Sequence, residues 1–118
     1  MAELNNDEIQ SALLRLVAKT KSHEVKWVLD ASQGMSVTPA SRFRFYISSV
    51  NSNDAAPYCF EIWRLYEVDG KQRNFKVGEI RTIDGGLHNL QLAELFSLAR
   101  MSWFEAFDLS KELIEDLP

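Results

Sequence analysis

Two histidines, one cysteine and seventeen carboxylates are the side chains in this sequence that could do acid–base, nucleophilic or metal chemistry. Zinc and similar metals take Cys and His ligands clustered at short spacings. His23 and His88 are far apart with Cys59 between them, so there is no zinc signature. A nucleophile needs a base and an orienting group within reach. Ser36, Ser41, Ser48 and Ser49 fall in or beside loops and strands, and none lies in a Gly-x-Ser-x-Gly elbow. His23, between Ser22 and Glu24 at a helix-to-strand junction, and His88, after a double glycine, read as surface or capping residues. Cys59 sits in an apolar run and reads as a buried structural thiol, because reactive thiols need an electropositive, partly open setting.

Paired carboxylates fare no better. Glu61 and Glu67 share a nominal strand face, but six residues of strand span about 20 Å, too far for a joint acid–base site. Glu112, Glu115 and Asp116 read as a solvated helix face. Gly85-Gly86 precedes a helix as a phosphate-binding turn would, yet neither a dinucleotide fingerprint nor a P-loop accompanies it. The sequence therefore names no catalytic residue, no cofactor and no metal ligand, and a non-enzymatic protein is expected.

The remaining constellation is aromatic. Arg42-Phe43-Arg44-Phe45-Tyr46-Ile47 and Tyr58-Cys59-Phe60-Glu61-Ile62-Trp63-Arg64-Leu65-Tyr66 alternate like strands but carry aromatics on both faces. A half-buried strand should be apolar on one face and polar on the other. Here Arg42, Arg44 and Tyr46 oppose Phe43, Phe45 and Ile47, and Trp63 and Leu65 oppose Phe60 and Ile62. Two arrangements are open. Helices could cover both faces and make every aromatic core. Alternatively, helices could share one face and leave some of Tyr46, Val50, Trp63 and Leu65 exposed on the other. The connector from Asn51 to Pro57 leaves the register between the two strands undetermined. Trp, Tyr and Arg together are the composition of a protein–protein hot spot, so Arg42, Arg44, Tyr46 and Trp63 are the candidate partner-binding residues.

Some RNA-binding sheets interleave basic and aromatic residues in the same way, but the charge distribution argues against nucleic acid. Residues 1–57 carry six acids and six bases, residues 58–83 four and five, and residues 84–118 seven and two. The acidic last third would repel phosphate backbones and anionic membranes, and it suits a basic protein partner.

The elements that must position these residues read as follows. Asn5 and Glu8 form a capping box, Leu4 and Ile9 a staple, and Ile9, Leu13, Leu16, Val17 and Thr20 one helical stripe, which predicts a helix from Asn6 to about Thr20. Val25–Leu29, Arg42–Val50, Tyr58–Val68 and Lys71–Ile83 read as strands, with Ala31–Ala40 a loop. Asp69-Gly70 predicts a type I′ hairpin, and Gly78 a bulge. A helix follows, with Asn89 or His88 near its cap and Leu92, Leu95, Phe96 and Ala99 inward. Ser102–Phe107 reads as a packed corner. A last helix, capped by Asp108 or Ser110, carries Leu109, Leu113, Ile114 and Leu117.

The expectation is one α+β domain over residues 1–118: an N-terminal helix, a four-stranded antiparallel meander and two C-terminal helices packed on the sheet. A single cysteine, a polar acidic N-terminus and no long apolar run suit a cytoplasmic protein that does not enter membranes. Its expected function is to bind a partner protein, as a small adaptor, inhibitor, immunity or chaperone-like accessory module. The alternative is a small-ligand sensor with an apolar pocket lined by Trp27, Phe60, Phe96 and Trp103. The short Val25–Leu29 strand offers an edge at which a homodimer could pair.

Overall fold

The first helix of the computed structural model, α1 (Asn6–Lys21), forms because its start and one face are both specified. The Asn5 side chain accepts the Glu8 N–H at 2.9 Å while the Glu8 carboxylate accepts the Asn5 N–H at 3.0 Å, satisfying two donors that a helix N-terminus leaves unpaired. Ile9, Leu13, Leu16, Val17 and Thr20 are its buried face. At its end His23 adopts a left-handed backbone (φ 61°), and the Glu24 N–H closes onto the Lys19 carbonyl at 3.0 Å. His23 thus occupies a capping position.

The structure describes residues 3–30, 34–51, 55, 57–81, 89–104 and 109–117. Five strands follow α1: β1 (Val28–Leu29), β2 (Met35–Val37), β3 (Phe43–Ser49), β4 (Tyr58–Val68) and β5 (Lys71–Arg81). They form one antiparallel sheet in sequence order. Two more helices follow, α2 (Asn89–Phe104) and α3 (Leu109–Asp116). The α+β class and antiparallel sheet agree with the sequence reading, and three details correct it.

The sheet has five strands, not four. β2 lies inside the segment read as a loop, and its three residues are all buried. A three-residue strand is too short to show a period, and Gly34 just before it looks like a turn signal. Gly34 instead permits close approach: a Cβ there would sit 2.8 Å from the Ile47 carbonyl oxygen of β3. The first strand also shrinks to Val28–Leu29. Val25 and Trp27 are buried ahead of it, because Trp27 is anchored as a core residue rather than paired in the sheet. Lastly, Ser102–Phe104 continue α2, the rest of the corner read at Ser102–Phe107 lies outside the described residues, and among the described residues α3 is not packed on the sheet. Leu113, Ile114 and Leu117 are exposed, and among the described residues α3 makes no extended contact with any other element.

The packed layer consists of α1 and α2 on one face of the sheet. They contact each other, α2 lies across β1 to β4, and α1 lies against β5. Between them sit Leu13, Leu16, Trp27, Ile47, Phe60, Ile62, Leu92 and Leu95, all essentially inaccessible. Trp27 ties three segments together. Its indole N–H donates to the Thr20 hydroxyl of α1 at 3.0 Å, and its backbone N–H donates to the Ser102 hydroxyl of α2 at 3.0 Å. The Thr20 hydroxyl in turn donates to the Leu16 carbonyl at 2.7 Å.

The Asp69-Gly70 turn has both central residues at positive φ, 54° and 74°, as a type I′ hairpin requires. The hairpin runs beyond the helices, so residues 66–74 are all exposed. The Gly85-Gly86 segment, His88, Asn53, Asp54, Glu105, Phe107 and Asp108 fall outside the described residues.

Thr20→Val keeps the shape of the residue but leaves the buried Trp27 indole N–H without its acceptor. It should destabilise the fold by about 1–3 kcal/mol in urea unfolding monitored by circular dichroism.

Candidate interaction face

Alternation along β4 sorts its side chains between two environments. Tyr58, Phe60 and Ile62 point to the helices and are buried in the core cluster. Cys59, Glu61, Trp63 and Leu65 point to the opposite face. The β3 register completes both sets. Phe45 pairs with Ile62 and Ile47 with Phe60 under the helices, while Arg44 pairs with Trp63 and Tyr46 with Glu61 on the open face. The aromatics of these strands therefore serve two purposes. Phe45 stacks on Phe60 at 6.2 Å on the core side. On the open side Tyr46 meets Trp63 edge-to-face at 6.3 Å and 74°, a preferred geometry for aromatic pairs.

Three of the four sequence-predicted residues, Arg44, Tyr46 and Trp63, meet on this face and are half-buried. Arg44 donates from Nε to the Thr38 hydroxyl at 3.1 Å, which holds its charge beside the aromatic pair. Arg42 lies just before β3, exposed at the rim. Its carbonyl oxygen accepts the Leu65 N–H at 2.7 Å. Val50 is exposed at the end of β3, whereas Leu65 is buried. Towards β1 the face opens into a groove of about 480 Å³ whose lining includes Lys26, Val28, Leu29, Thr38 and Arg44.

The face also holds a cluster the sequence reading missed. Glu61 lies directly opposite Glu79 of β5, a like-charge pairing that is destabilising by itself. Lys76 compensates both carboxylates, with Nζ 3.6 Å from each, and Arg81 lies 3.7 Å from Glu79. The Trp63 indole N–H donates to Glu61 at 3.2 Å, so the aromatic pair is fastened to the charged cluster. The Cys59 thiol donates to Glu79 at 3.3 Å. Among the described residues, Cys59, Glu61 and Glu79 bring a sulfur and two carboxylate oxygens within 4.8 Å of one another. The two basic residues already balance that charge, and burial raises the Cys59 thiol from 9.0 to about 11, reinforced by its bond to Glu79 and by the negative charge of Glu61 and Glu79. This is a protonated, inert sulfur.

A slip in the hairpin assembles this cluster. From the turn, Val68 pairs with Lys71 and the ladder runs regularly to Trp63 opposite Lys76. There the register shifts by one, and Ile62 pairs with Gly78. Val77 is the extra residue. Without the shift, Glu79 and Arg81 would face the helices. The glycine beside the bulge gave the only sequence signal for it. A Cβ on Gly78 would press on the Ile9 side chain at 3.1 Å, so the same glycine admits α1.

Among the described residues, the other sequence candidates are not gathered into a site. Among the described residues, the only histidine is His23 at the end of α1. Glu67 is exposed near the hairpin tip, away from Glu61. Trp27, Phe60 and Phe96 are packed into the core, and the half-buried Trp103 ring lies 4.7 Å from Phe104. No helix among the described residues is long and apolar enough to cross a membrane. Compared with protein families, characterised proteins and solved structures, the chain matches none.

The raised Cys59 pKa has a pH signature. Below pH 9 the thiol is protonated in both the folded and unfolded chain. Between pH 9 and about 11 only the unfolded chain ionises, so stability falls across that window as pH rises. Denaturant titrations at successive pH values should show a smaller fall over this window in Cys59→Ala than in the wild type.

Proposed function

We propose that this protein is a non-catalytic interaction module that binds a partner protein through the open face of its sheet. The observation that carries the reading is the half-exposed Tyr46–Trp63 pair, on the face opposite the helices. Aromatic residues with adjacent arginine dominate binding energy where proteins meet, with charged residues forming the surrounding rim. Here Arg44 flanks the pair on one side and the Glu61, Lys76, Glu79 and Arg81 cluster on the other. Tyr46 and Trp63 are held by their contact with each other and by the Trp63–Glu61 hydrogen bond. Little side-chain freedom is then left to lose on binding, which favours affinity.

Charges of both signs on the face set the orientation of a partner more than they attract one sign. The acidic last third of the chain adds a long-range pull on a basic protein. Such a module acts by occupying a surface, as an adaptor, inhibitor, immunity or chaperone-like accessory protein does. The buried single thiol suits work in the cytoplasm.

Native pull-down with mass spectrometry identifies the partner, and calorimetry then measures the contribution of the face. Trp63→Ala should weaken binding by about 2 kcal/mol or more, roughly thirtyfold. Tyr46→Ala should act in the same direction, with both variants still folded. Folded variants that keep full affinity would refute the open-face reading.

A further inference from the structure

The sheet ends in two edge strands. β1 has only two residues, whereas β5 has eleven. An edge strand presents unpaired N–H and C=O groups to any further strand. Among the described residues, one backbone bond closes the outer edge of β5: the Leu4 N–H donates to the Val77 carbonyl at 2.9 Å. Lys71 to Phe75 remain open, on the part of the hairpin that projects beyond the helices. That length is enough for a strand to pair.

The register sorts the charges of this hairpin by face. Phe60 and Ile62 point to the helices, so Arg64, Tyr66 and Val68 follow them, and their partners Phe75, Arg73 and Lys71 share that side. Glu61, Glu67 and Glu79 lie on the other side, and the remaining carboxylate of the hairpin, Asp69, is in the turn. Along the sequence, acids and bases nearly cancel here; by face, they separate. Arg64 is already engaged: its guanidinium lies 5.4 Å from the centre of the Phe43 ring and donates to the Arg42 and Leu65 carbonyls. Lys71 and Arg73 are exposed and hold no carboxylate among the described residues. Beside them Phe75 is half-buried, with the Tyr66 ring 5.3 Å away. The open edge thus carries two uncompensated cations and one aromatic ring at alternate positions.

We infer that this edge takes an extended acidic segment of a partner protein as a sixth strand. In strand addition, main-chain hydrogen bonds supply affinity and alternate side chains supply specificity. The repeat of the two strands is the same, so carboxylates two residues apart on the incoming strand fall beside Lys71 and Arg73 together. An antiparallel strand, the better-paired orientation, has an apolar residue beside Phe75 and acidic residues at the second and fourth positions after it. The same cations exclude a second copy as the occupant. Leu4 closes the edge at Val77, so two copies could pair only through Lys71–Phe75, which would crowd the Lys71 and Arg73 charges of both chains together. The cations face away from Tyr46 and Trp63, so the inference stands independently of the open-face reading.

The test adds the peptide Thr-Phe-Thr-Asp-Thr-Asp-Thr to the isotope-labelled full chain and follows backbone amides by NMR. The amides of Lys71–Phe75 should shift and become protected from exchange, while that of Tyr46 stays unchanged. Both the Lys71→Gln/Arg73→Gln chain and a peptide with Asn in place of Asp should show binding roughly fivefold weaker. N-methylation of the peptide at Phe and both Asp, or at the alternating Thr, should abolish binding in one case only, because only alternate N–H groups of an added strand face the sheet. No shift at Lys71–Phe75 with millimolar peptide would overturn the inference, as would equal affinity for the Asn peptide. Tighter binding of oligothymidylate at the same amides and the same salt would assign the edge to nucleic acid and overturn it. Shifts at Lys71–Phe75 on concentrating the chain alone would assign it to a second copy, with the same consequence.

Discussion

Packing on one side of β4 is the constraint on which the other features depend. Both α1 and α2 seek the same apolar surface, and the two-residue period of a strand can offer them only alternate side chains. Phe60 and Ile62, with Ile47 and Phe45 beside them on β3, meet that demand. Cys59, Glu61, Trp63 and Leu65 are then committed to the other face, whatever their chemistry. Aromatic residues on both faces of one strand are a consequence of this division. One set closes the core, and the other lies half-exposed on the opposite face.

Trp27 makes the helical layer cohere. It sits outside the sheet, yet its two hydrogen bonds join α1 to α2, and its ring fills the space between them. An amphipathic helix contributes stability mainly through the face it buries. A shared polar anchor within that buried face fixes how the two helices lie relative to each other. The Lys21–Glu94 ion pair at 2.6 Å joins the same helices at the surface, where exposed pairs contribute little.

Much of this was legible from local patterns. The α1 cap, the Asp69-Gly70 turn and the inward positions of α2 follow from chemistry within a few residues, and the structure places them as expected. β2 was not legible because three residues show no period, and Gly34 signals a turn as readily as a close approach. The Glu61–Glu79 pairing depends on a single-residue slip at Val77, which the bulge read at Gly78 signalled without giving its register. Counting back from the turn without that slip puts Glu79 on the wrong face. The position of α3 was hidden for another reason. Its apolar stripe reads as a packing face, yet Leu113 and Ile114 are exposed. The candidate face occupies the middle ground. Sequence nominated Arg44, Tyr46 and Trp63 by residue type, and only the β3–β4 register joins them. Arg42 came in by the same alternation but lies at the rim, contributing its backbone to the sheet.

The open face is proposed as the surface at which this protein meets its partner. Hydroxyl-radical footprinting of the free and partner-bound protein reads side-chain access directly. Binding through this face should protect Tyr46 and Trp63 while Tyr66, exposed on the projecting hairpin, keeps its reactivity. Unchanged oxidation of Tyr46 and Trp63 in a saturated complex, with protection elsewhere, would contradict it.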